Sequence, residues 1–428
     1  MKFLDTRSGD FNKKFSRLEN RFSAADPDIS KAVSTIVGDV KNRGDRALFQ
    51  WTRKLDRIRV DSKTVRISGA AIKNAAAETN PKLKSAIKQA YVNIKKFHAR
   101  QIEKSWSIKN GASSVGQLIR PLERVGLYVP GGTASYPSTL LMTAIPALVA
   151  GVGEIAVCSP ASCGKIAPAV LYAAHLCGIK EFYKVGGAQA VAAMAFGTKS
   201  VRKVDKIAGP GNAFVTEAKR ILFGHVDIDM IAGPSEICII ADSSANPAWC
   251  AADILSQAEH DELAQPVLLS ASGSLIKAVV MQVERQVKLL PRGDIARRCL
   301  KRNSYVIKTR SIDEAINIAN RIAPEHLHLA FKNGASRVKD VRSAGAIFVG
   351  HYTPEVLGDY MAGPNHVLPT AGCARFFSPL GVYDFIKRSS VIRYSKRDFM
   401  AVAGKIAELA ESEGLSAHAR AASIRTGK

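Results

Sequence analysis

Residues 124–158 read RVGLYVPGGTASYPSTLLMTAIPALVAGVGEIAVC. A short apolar run at 125–129 meets a Pro-Gly-Gly turn, a helical pattern follows as far as Gly151, and a second apolar run occupies 154–158. Short apolar runs that alternate with helical stretches are typical of βα units around a mainly parallel sheet. This stretch therefore predicts an α/β fold.

The same alternation continues on the C-terminal side. Apolar runs at 182–185 and 204–207 are followed by glycine turns, GGAQ at 186–189 and GPGN at 209–212. Such turns can bring backbone N–H groups and a helix N-terminus close to a phosphate. None of the turns has the Gly-x-Gly-x-x-Gly spacing of the dinucleotide fingerprint, so by themselves they are weak signals for a dinucleotide.

A second series of βα units follows, with apolar runs at 237–241, 266–270, 305–309 and 346–349. Ser311 and Glu314 form a capping box at one helix start. Between residues 20 and 120 the periodicity is helical and strand signals are few, whereas residues 398–420 have the pattern of an amphipathic helix. The segment 352–378 is long and rich in Gly and Pro, which is typical of a functional loop.

Composition excludes several classes of protein. With 428 residues, 46% of them apolar and 23% charged, the chain can bury at least one large core, so disorder and rod-like repeats are disfavoured. The longest mainly apolar stretch, 140–152, contains Pro146 and is shorter than the roughly 20 residues of a membrane span. Residues 1–19 lack the apolar segment of a secretory signal, and the seven cysteines are scattered. We therefore expect a cytoplasmic protein without a membrane partner.

The formal net charge of +24 is the one unusual bulk property. Residues 1–120 hold 26 Lys and Arg against 11 Asp and Glu, so the excess is concentrated towards the N-terminus but dispersed along it. Nucleic-acid-binding domains usually combine such charge with stacking aromatics or a recognisable module, and neither is present in this sequence. A basic solvated surface is the favoured interpretation, and no nucleic-acid partner is expected.

Two pairs of polar residues suggest chemistry in the middle of the chain. Gln257 and His260 stand three apart and share one helical face, as two metal ligands can. Glu325 and His326 follow Pro324, which disfavours helical geometry at the preceding residue, and both side chains can act as bases near neutral pH. Each pair alone is more often an ordinary structural pair.

Two further pairs lie nearer the C-terminus. Asp359 and His366 stand seven apart in the glycine-rich segment and could supply ligands to a metal such as zinc. Glu413 and His418 lie close to the end of the chain, where an isolated pair would usually belong to a frayed helix.

Considered together, the motifs around these residues form one set. In chain order they are GLYVPGG, GGAQA, GPGNA, AGPSE, QxxH, PEH, GDY, NHVLPT and EGLxAH. The set resembles the histidinol dehydrogenase family, and the resemblance covers essentially the whole chain. It implies two incomplete Rossmann-like domains with helical N- and C-terminal extensions that form an intertwined homodimer. The implied boundaries are 1–22 for the N-terminal extension, 23–127 with 237–378 for the first domain, 128–236 for the second, NAD-binding domain, and 379–428 for the C-terminal extension.

The resemblance also implies an activity, the zinc-dependent oxidation of L-histidinol through L-histidinal to L-histidine with two NAD, at the end of histidine biosynthesis. His326 would accept the alcohol proton, and Glu325 would activate the water that attacks the aldehyde. Zinc would be held by Gln257, His260 and Asp359, with His418 contributed by the partner subunit.

The remaining implied contacts are with the organic ligands. The substrate contacts implied by the family are Ser235, Gln257, His260, Glu325, His326, Asp359, His366, Glu413 and His418, of which the last two would act in the partner subunit's site. The implied NAD contacts are Tyr128, Gln189 and Asn212.

Other functions are also considered. A relative in the same superfamily could oxidise another small alcohol, such as a sulfonated diol, although Glu413 and His366 favour histidinol. From a different class, the chain could be a basic nucleic-acid-binding protein. Cys373 lies near the His366 segment and could act as a nucleophile on an aldehyde, but the family pattern does not need it. The sequence departs from the family pattern at His328, where an acidic or apolar residue is more familiar.

Overall fold

The computed structural model describes residues 1–21, 26–131 and 135–427. Its strands are β1 Lys2–Asp5, β2 Arg66–Ile67, β3 Trp106–Asn110, β4 Ser113–Pro121, β5 Arg124–Tyr128, β6 Glu154–Cys158, β7 Glu181–Tyr183, β8 Lys206–Ala208, β9 Asp227–Ile228, β10 Glu236–Ala241, β11 Gln265–Ser270, β12 Tyr305–Lys308, β13 His326–Ala330, β14 Ala346–Val349 and β15 Ile386–Arg393.

The α-helices are α1 Phe11–Glu19, α2 Pro27–Arg43, α3 Asp45–Leu55, α4 Gly69–Glu78, α5 Pro81–His98, α6 Pro137–Ala150, α7 Pro168–Leu176, α8 Gly187–Phe196, α9 Ala213–Leu222, α10 Pro247–Ala258, α11 Gly273–Gln286, α12 Gly293–Arg302, α13 Ile312–Ile322, α14 Glu355–Tyr360, α15 Lys396–Ser412 and α16 Ser416–Ser423. The chain forms two compact units. The larger contains Met1–Gln101 and Leu122–Phe385, and the smaller contains Ile102–Pro121 and Ile386–Lys428.

The larger unit is an α/β structure with two six-stranded sheets, as the sequence predicts. The first sheet has the order β1-β12-β11-β10-β13-β14, and all of its neighbouring strands run parallel. Strands β10 and β13 are buried along their whole length. This burial explains the nearly continuous apolar sequence of β10, whereas β13 carries two buried histidines, His326 and His328. The N-terminal segment contributes the edge strand β1, so it contains a strand as well as the helix α1.

The second sheet has the order β2-β7-β6-β5-β8-β9. Its neighbouring strands are parallel except for the short edge strand β2, which runs antiparallel to β7. The stretch that begins at Arg124 provides the buried central strand β5, the helix α6 and the neighbouring strand β6. The predicted βα unit is therefore confirmed at the centre of this sheet.

The smaller unit contains a three-stranded antiparallel sheet, β15-β4-β3, together with α15 and α16. Asp398, in the first turn of α15, accepts hydrogen bonds from the Ser113 and Ser395 hydroxyls. These bonds join the start of the helix to the sheet. The sequence patterns predict few strands before residue 120 and therefore omit β3 and β4. Every residue of β3 is exposed, so the alternation of Trp106 and Ile108 with polar residues does not mark a buried face.

Two other local expectations have clear outcomes. The Ser311 half of the capping box is confirmed, because the Ser311 hydroxyl accepts a hydrogen bond from the Glu314 N–H at the start of α13. The Glu314 carboxylate accepts instead from the Arg310 N–H and the Thr6 hydroxyl. The segment 352–378 is only partly a loop, because Glu355–Tyr360 forms α14.

None of the helices in the described ranges is both long enough and apolar enough to span a membrane. The domain boundaries stay a prediction.

Candidate active site

The polar residues of the first sheet gather at the amino-terminal edge of its strands. Ser235 immediately precedes β10, and His326 is the first residue of β13. The register pairs Ile237 with His326, so the two strand starts lie side by side. Parallel α/β proteins usually bind ligands at the carboxyl ends of their strands. This cluster therefore occupies the opposite edge.

Local backbone geometry places Glu325 and His326 there. Helix α13 ends at Ile322, and the capping residue Ala323 has a left-handed conformation with φ of 48° and precedes Pro324. This agrees with the prediction that the helix stops before the Pro-Glu-His motif. The next residues enter the sheet, where the Ala346 N–H donates to the Glu325 carbonyl at 2.8 Å. Gly345 is required beside this turn, because a Cβ there would lie 2.6 Å from the Glu325 carbonyl oxygen.

The backbone of Glu236 fixes the proton on His326. The Nδ1 atom of His326 lies 2.8 Å from the Glu236 carbonyl oxygen, and a carbonyl can only accept a hydrogen bond. Nδ1 therefore carries the proton and Nε2 has a free lone pair. The Nε2 atom is buried without a hydrogen-bond partner, and burial lowers the pKa of His326. The ring is thus a neutral imidazole whose basic nitrogen is available.

The same residue holds the neighbouring carboxylate. The Glu236 N–H donates to Glu325 Oε2 at 2.8 Å. Glu325 is buried, and this burial raises its pKa well above the ordinary value, assisted by the negative charges of Glu236, Asp359 and Glu355. A carboxylate with a raised pKa is a stronger base, which suits it to activating water.

Asp359 faces both imidazoles of the cluster. Its Oδ1 atom lies 3.9 Å from His326 Nε2 and 3.9 Å from His366 Nδ1. His366 Nδ1 also donates to the Asp359 backbone carbonyl at 3.1 Å, and its Nε2 lies 3.5 Å from the Thr139 hydroxyl on α6. Burial lowers the pKa of His366 as well. Asn365 anchors this segment to α6 through a 2.6 Å bond from Nδ2 to the Met142 carbonyl.

Glu355 is a member of the cluster that the sequence interpretation missed. One ligand atom from each of His326, Glu355 and Asp359 lies within 4.8 Å of the others. The Ser256 hydroxyl donates to Glu355 Oε2 at 2.9 Å, and burial raises the pKa of Glu355. The available signal was the spacing of Glu355 and Asp359, because residues four apart share one face of a helix.

Gln257 and His260 lie at the end of α10. Gln257 is fully buried, yet neither its Oε1 nor its Nε2 atom has a hydrogen-bond partner. A buried amide without partners is costly, so its polar atoms point to a ligand that completes them. His260 is exposed. The pKa values of His326 and His366 are lowered mainly by the burial of those two side chains, and the nearby charge of His260 lowers them further. The three imidazoles therefore lie near one another.

The residues predicted to contact NAD lie at the carboxyl edge of the second sheet. Tyr128 ends β5, and its hydroxyl accepts a 3.0 Å bond from the Gly187 N–H. Gln189 is buried and its Nε2 lies 3.4 Å from Asp56 Oδ2, whereas its Oε1 has no partner. Asn212 is exposed and caps α9 by accepting from the N–H groups of Phe214 and Val215.

Two of the glycine turns at this edge are already bonded inside the protein, whereas the Pro-Gly-Gly turn at 130–132 extends outside the described residues. Asp56 accepts from the Gly186 N–H at 3.0 Å, and Asp229 accepts from the Gly209 N–H at 2.7 Å. Lys219 forms a buried ion pair with Asp229. These N–H groups are not free to bind a phosphate, which gives a structural reason for the absence of the usual fingerprint.

Glu413 and His418 belong to the smaller unit. Glu413 caps the end of α15, His418 lies in α16, and both side chains are exposed. Ser235, the other predicted substrate contact, is partly exposed. Cys373 is buried, and burial raises its pKa, so this thiol is poorly suited to act as a nucleophile.

Comparison with known proteins identifies the family. The sequence profile of histidinol dehydrogenase matches residues 19–426. Histidinol dehydrogenase from Geobacter metallireducens is 48% identical over 428 residues, covering 99% of this chain and 98% of that protein. The enzyme of the same name from Caldanaerobacter subterraneus is 49% identical over 421 residues, covering 97% and 98% of the two chains.

A solved structure shares the fold over the whole length. The crystal structure of histidinol dehydrogenase from Elizabethkingia anophelis has a TM-score of 0.93 and 40% sequence identity, and the match covers 100% of this chain and 98% of that one. The chain belongs to the histidinol dehydrogenase family.

Proposed function

We propose that this protein oxidises L-histidinol through L-histidinal to L-histidine with NAD, the last steps of histidine biosynthesis. The observation that carries the proposal is the pair of buried bases, Glu325 and His326, held by one residue beside Asp359. Two bases suit two successive oxidations of one carbon. Relatives that are nearly half identical over the full length are named histidinol dehydrogenase, which supports histidinol as the substrate.

The residues at this edge fit a divalent metal. Gln257 offers an unpartnered buried amide, and Asp359 and the nearby His260 add a carboxylate and an imidazole, a mixed O and N set that zinc accepts. In our proposal Gln257, His260 and Asp359 hold zinc together with His418 of the partner subunit. Zinc, when bound there, would orient the amino alcohol and stabilise negative charge on its oxygen.

His326 and Glu325 then divide the proton transfers. His326 accepts the proton of the alcohol on Nε2, because Nδ1 already donates to the Glu236 carbonyl. Glu325 takes a proton from the water that attacks the aldehyde carbon, and the resulting diol is oxidised to the acid. Each oxidation passes one hydride to NAD, so two NAD are consumed per histidinol.

The remaining proposed contacts hold the two organic ligands. Ser235 and His366, with Glu413 of the partner subunit, bind the substrate. Tyr128, Gln189 and Asn212 bind NAD at the carboxyl edge of the second sheet. The unpartnered Oε1 of the buried Gln189 supports this assignment, since it leaves an acceptor for a ligand.

A homodimer is part of the proposal. The smaller unit exposes large apolar side chains on its sheet and helices, with 52% of Trp106, 59% of Ile108, 72% of Ile392 and 67% of Leu409 accessible. Exposed apolar groups of this size are typical of a surface that is covered in an assembly. The cytoplasmic location stays a prediction.

The test is the production of NADH from L-histidinol, with and without a zinc chelator. We expect about two NADH per histidinol consumed, since each NAD accepts one hydride, and loss of turnover once the metal is stripped. A sulfonated diol serves as the comparison substrate. Preference for the diol would contradict the proposed substrate, and undiminished turnover after complete metal removal would contradict the role of Gln257, His260 and Asp359.

A further inference from the structure

We propose that the side chains of Arg21 and Glu236 form a positioning unit for the two bases Glu325 and His326. The inference rests on the proposed function, which gives those bases their roles. That function gives Arg21 no role, and it involves the carboxylate of Glu236 only through its negative charge near Glu325. Glu236 contacts both bases through its backbone only, by donating from its N–H to Glu325 and accepting at its carbonyl from His326.

The ion pair between the two side chains is two-pronged and buried. Arg21 Nε lies 2.5 Å from Glu236 Oε1, and Arg21 Nη2 lies 2.6 Å from Oε2. The Arg21 and Glu236 side chains are only 8% and 5% exposed. A bidentate guanidinium–carboxylate pair restricts orientation as well as distance, so it fixes the plane of the Glu236 carboxylate.

The pair joins several segments that bear on the bases. Arg21 Nη1 donates at 2.8 Å to the carbonyl of Ile322, the last residue of α13, which ends just before Glu325. Glu236 Oε1 accepts at 3.0 Å from the Ala371 N–H, which lies in the segment 352–378 that also carries Asp359. Arg21 follows α1, whose Phe15 and Leu18 are fully buried, so the guanidinium is held in turn by a packed helix.

The arrangement suggests that the pair provides geometry rather than reactivity. Arg21 touches neither base, and the carboxylate of Glu236 points towards Arg21 and Ala371. Without the pair, the backbone of Glu236 could change its orientation. Its carbonyl, which accepts from His326, and its N–H, which donates to Glu325, would then move together. Displacements of about 1 Å in reacting groups can cost about 10²-fold in rate.

The experiment removes both charges at once, because deleting one partner leaves an uncompensated buried charge that can prevent folding. In the double variant Arg21→Met with Glu236→Gln, the amide oxygen can still accept from the Ala371 N–H. The control is Arg124→Met with Glu181→Gln, which removes another two-pronged pair, at 3.0 and 2.7 Å, in the second sheet. In that pair the arginine is buried and the glutamate is partly buried, and Arg124 also binds the exposed Glu154. We measure the thermal unfolding and the zinc content of both double variants. We also measure kcat, the KM for the substrate and the KM for NAD, first with histidinol and then with histidinal.

We expect the Arg21 and Glu236 double variant to fold, retain zinc and keep the KM for NAD, while kcat falls at least about ten-fold with both substrates because both bases shift. The control should lose stability without that loss of kcat. Arg21→Lys keeps the charge but not the two-pronged contact, and it should recover part of kcat. Three results would overturn the inference while the proposed function stands. They are a wild-type kcat in the Arg21 and Glu236 double variant, loss of zinc from that variant, and an equal fall of kcat in the control variant. A wild-type protein that makes no NADH from histidinol would instead refute the proposed function, and the inference with it.

Discussion

At the scale of single residues, the two proposed bases differ in what surrounds them although they are neighbours in the chain. His326 presents a free nitrogen because its other nitrogen is bonded to a carbonyl, and Glu325 is a buried carboxylate with one backbone donor. Their separate environments suit them to separate proton transfers.

Glu325→Gln should affect the two half-reactions unequally. The amide cannot accept a proton from water, so we expect oxidation of histidinal to slow by about 10²-fold or more, the usual contribution of a general base. Oxidation of histidinol to histidinal, which uses His326, should change far less. The rates are measured by single-turnover NADH formation from each substrate, and an equal loss in both would contradict the division of labour.

Gln257→Ala should weaken metal binding. The substitution removes a buried amide whose polar atoms have no protein partner, so we expect zinc affinity to fall by at least about ten-fold. Zinc retained after dialysis against a graded chelator measures the effect. Gln89→Ala, at an exposed glutamine on α5, is the control and should leave zinc content unchanged. Equal zinc retention in both variants would remove Gln257 from the ligand set.

Asp56→Asn should change how stability depends on pH. Burial raises the pKa of Asp56 above its ordinary value of 3.8, so the ionised form is less favourable in the folded chain than in the unfolded chain. The stability that Asp56 contributes is therefore lost as pH rises through the raised pKa. Because Asn does not titrate, the Tm of the variant relative to wild type should increase from pH 4 to pH 7, as followed by thermal unfolding.

Asp61→Asn provides a control of opposite sign. Hydrogen bonds from Thr64 lower the pKa of Asp61, so the wild type gains stability as pH rises and the variant should become relatively less stable. If both variants shift in the same direction, the assignment of Asp56 as a desolvated carboxylate is wrong.

At the scale of elements, the glycine turn after β8 brings two strand ends into close contact. Gly209 has φ of 122°, and a Cβ on it would lie 2.1 Å from the Tyr128 carbonyl oxygen at the end of β5. Side chains other than glycine are therefore excluded by both conformation and space.

Gly209→Ala should destabilise the fold and weaken NAD binding. Backbone strain alone costs about 1–3 kcal/mol, and relieving the contact must displace Tyr128. Thermal unfolding and the KM for NAD measure the two effects. Gly153→Ala is the control, since its nearest neighbour would be the Glu123 carbonyl oxygen at an ordinary 3.7 Å. Comparable Tm values for the two variants would show that the space between residue 209 and the Tyr128 carbonyl can accept a Cβ atom.

At the scale of the whole molecule, the proposed site needs two chains. Metal ligands are proposed on the larger unit of one subunit, whereas His418 belongs to the smaller unit of its partner. This organisation predicts complementation between two inactive variants.

His260→Ala and His418→Ala should each be inactive alone. In a co-expressed mixture, heterodimers would contain one site with every ligand intact, so we expect about a quarter of wild-type activity for random pairing in a symmetric dimer. The variants are purified separately and together and assayed for NADH formation. No recovery in verified heterodimers would contradict a site shared between subunits.

Much of this could be predicted from the sequence. The apolar runs at 125–129 and 154–158 correspond to β5 and β6, and Ser311 caps α13 as its spacing indicates. Buried parallel strands and helix caps have local signatures, because each depends on residues that are close in the chain. Family motifs then identified the proposed site residues, although their individual roles stay predictions.

Tertiary structure alone decided the surroundings of those residues. Glu236 meets Glu325 and His326 because β10 and β13 pair in one register, and Arg21 reaches Glu236 across more than two hundred residues of chain. Glu355 joins the cluster only because α14 and α10 pack together. No local pattern encodes such contacts, since strand register, helix packing and burial are set by the folded chain as a whole, and these determine which buried polar atoms find partners and which are left for a ligand.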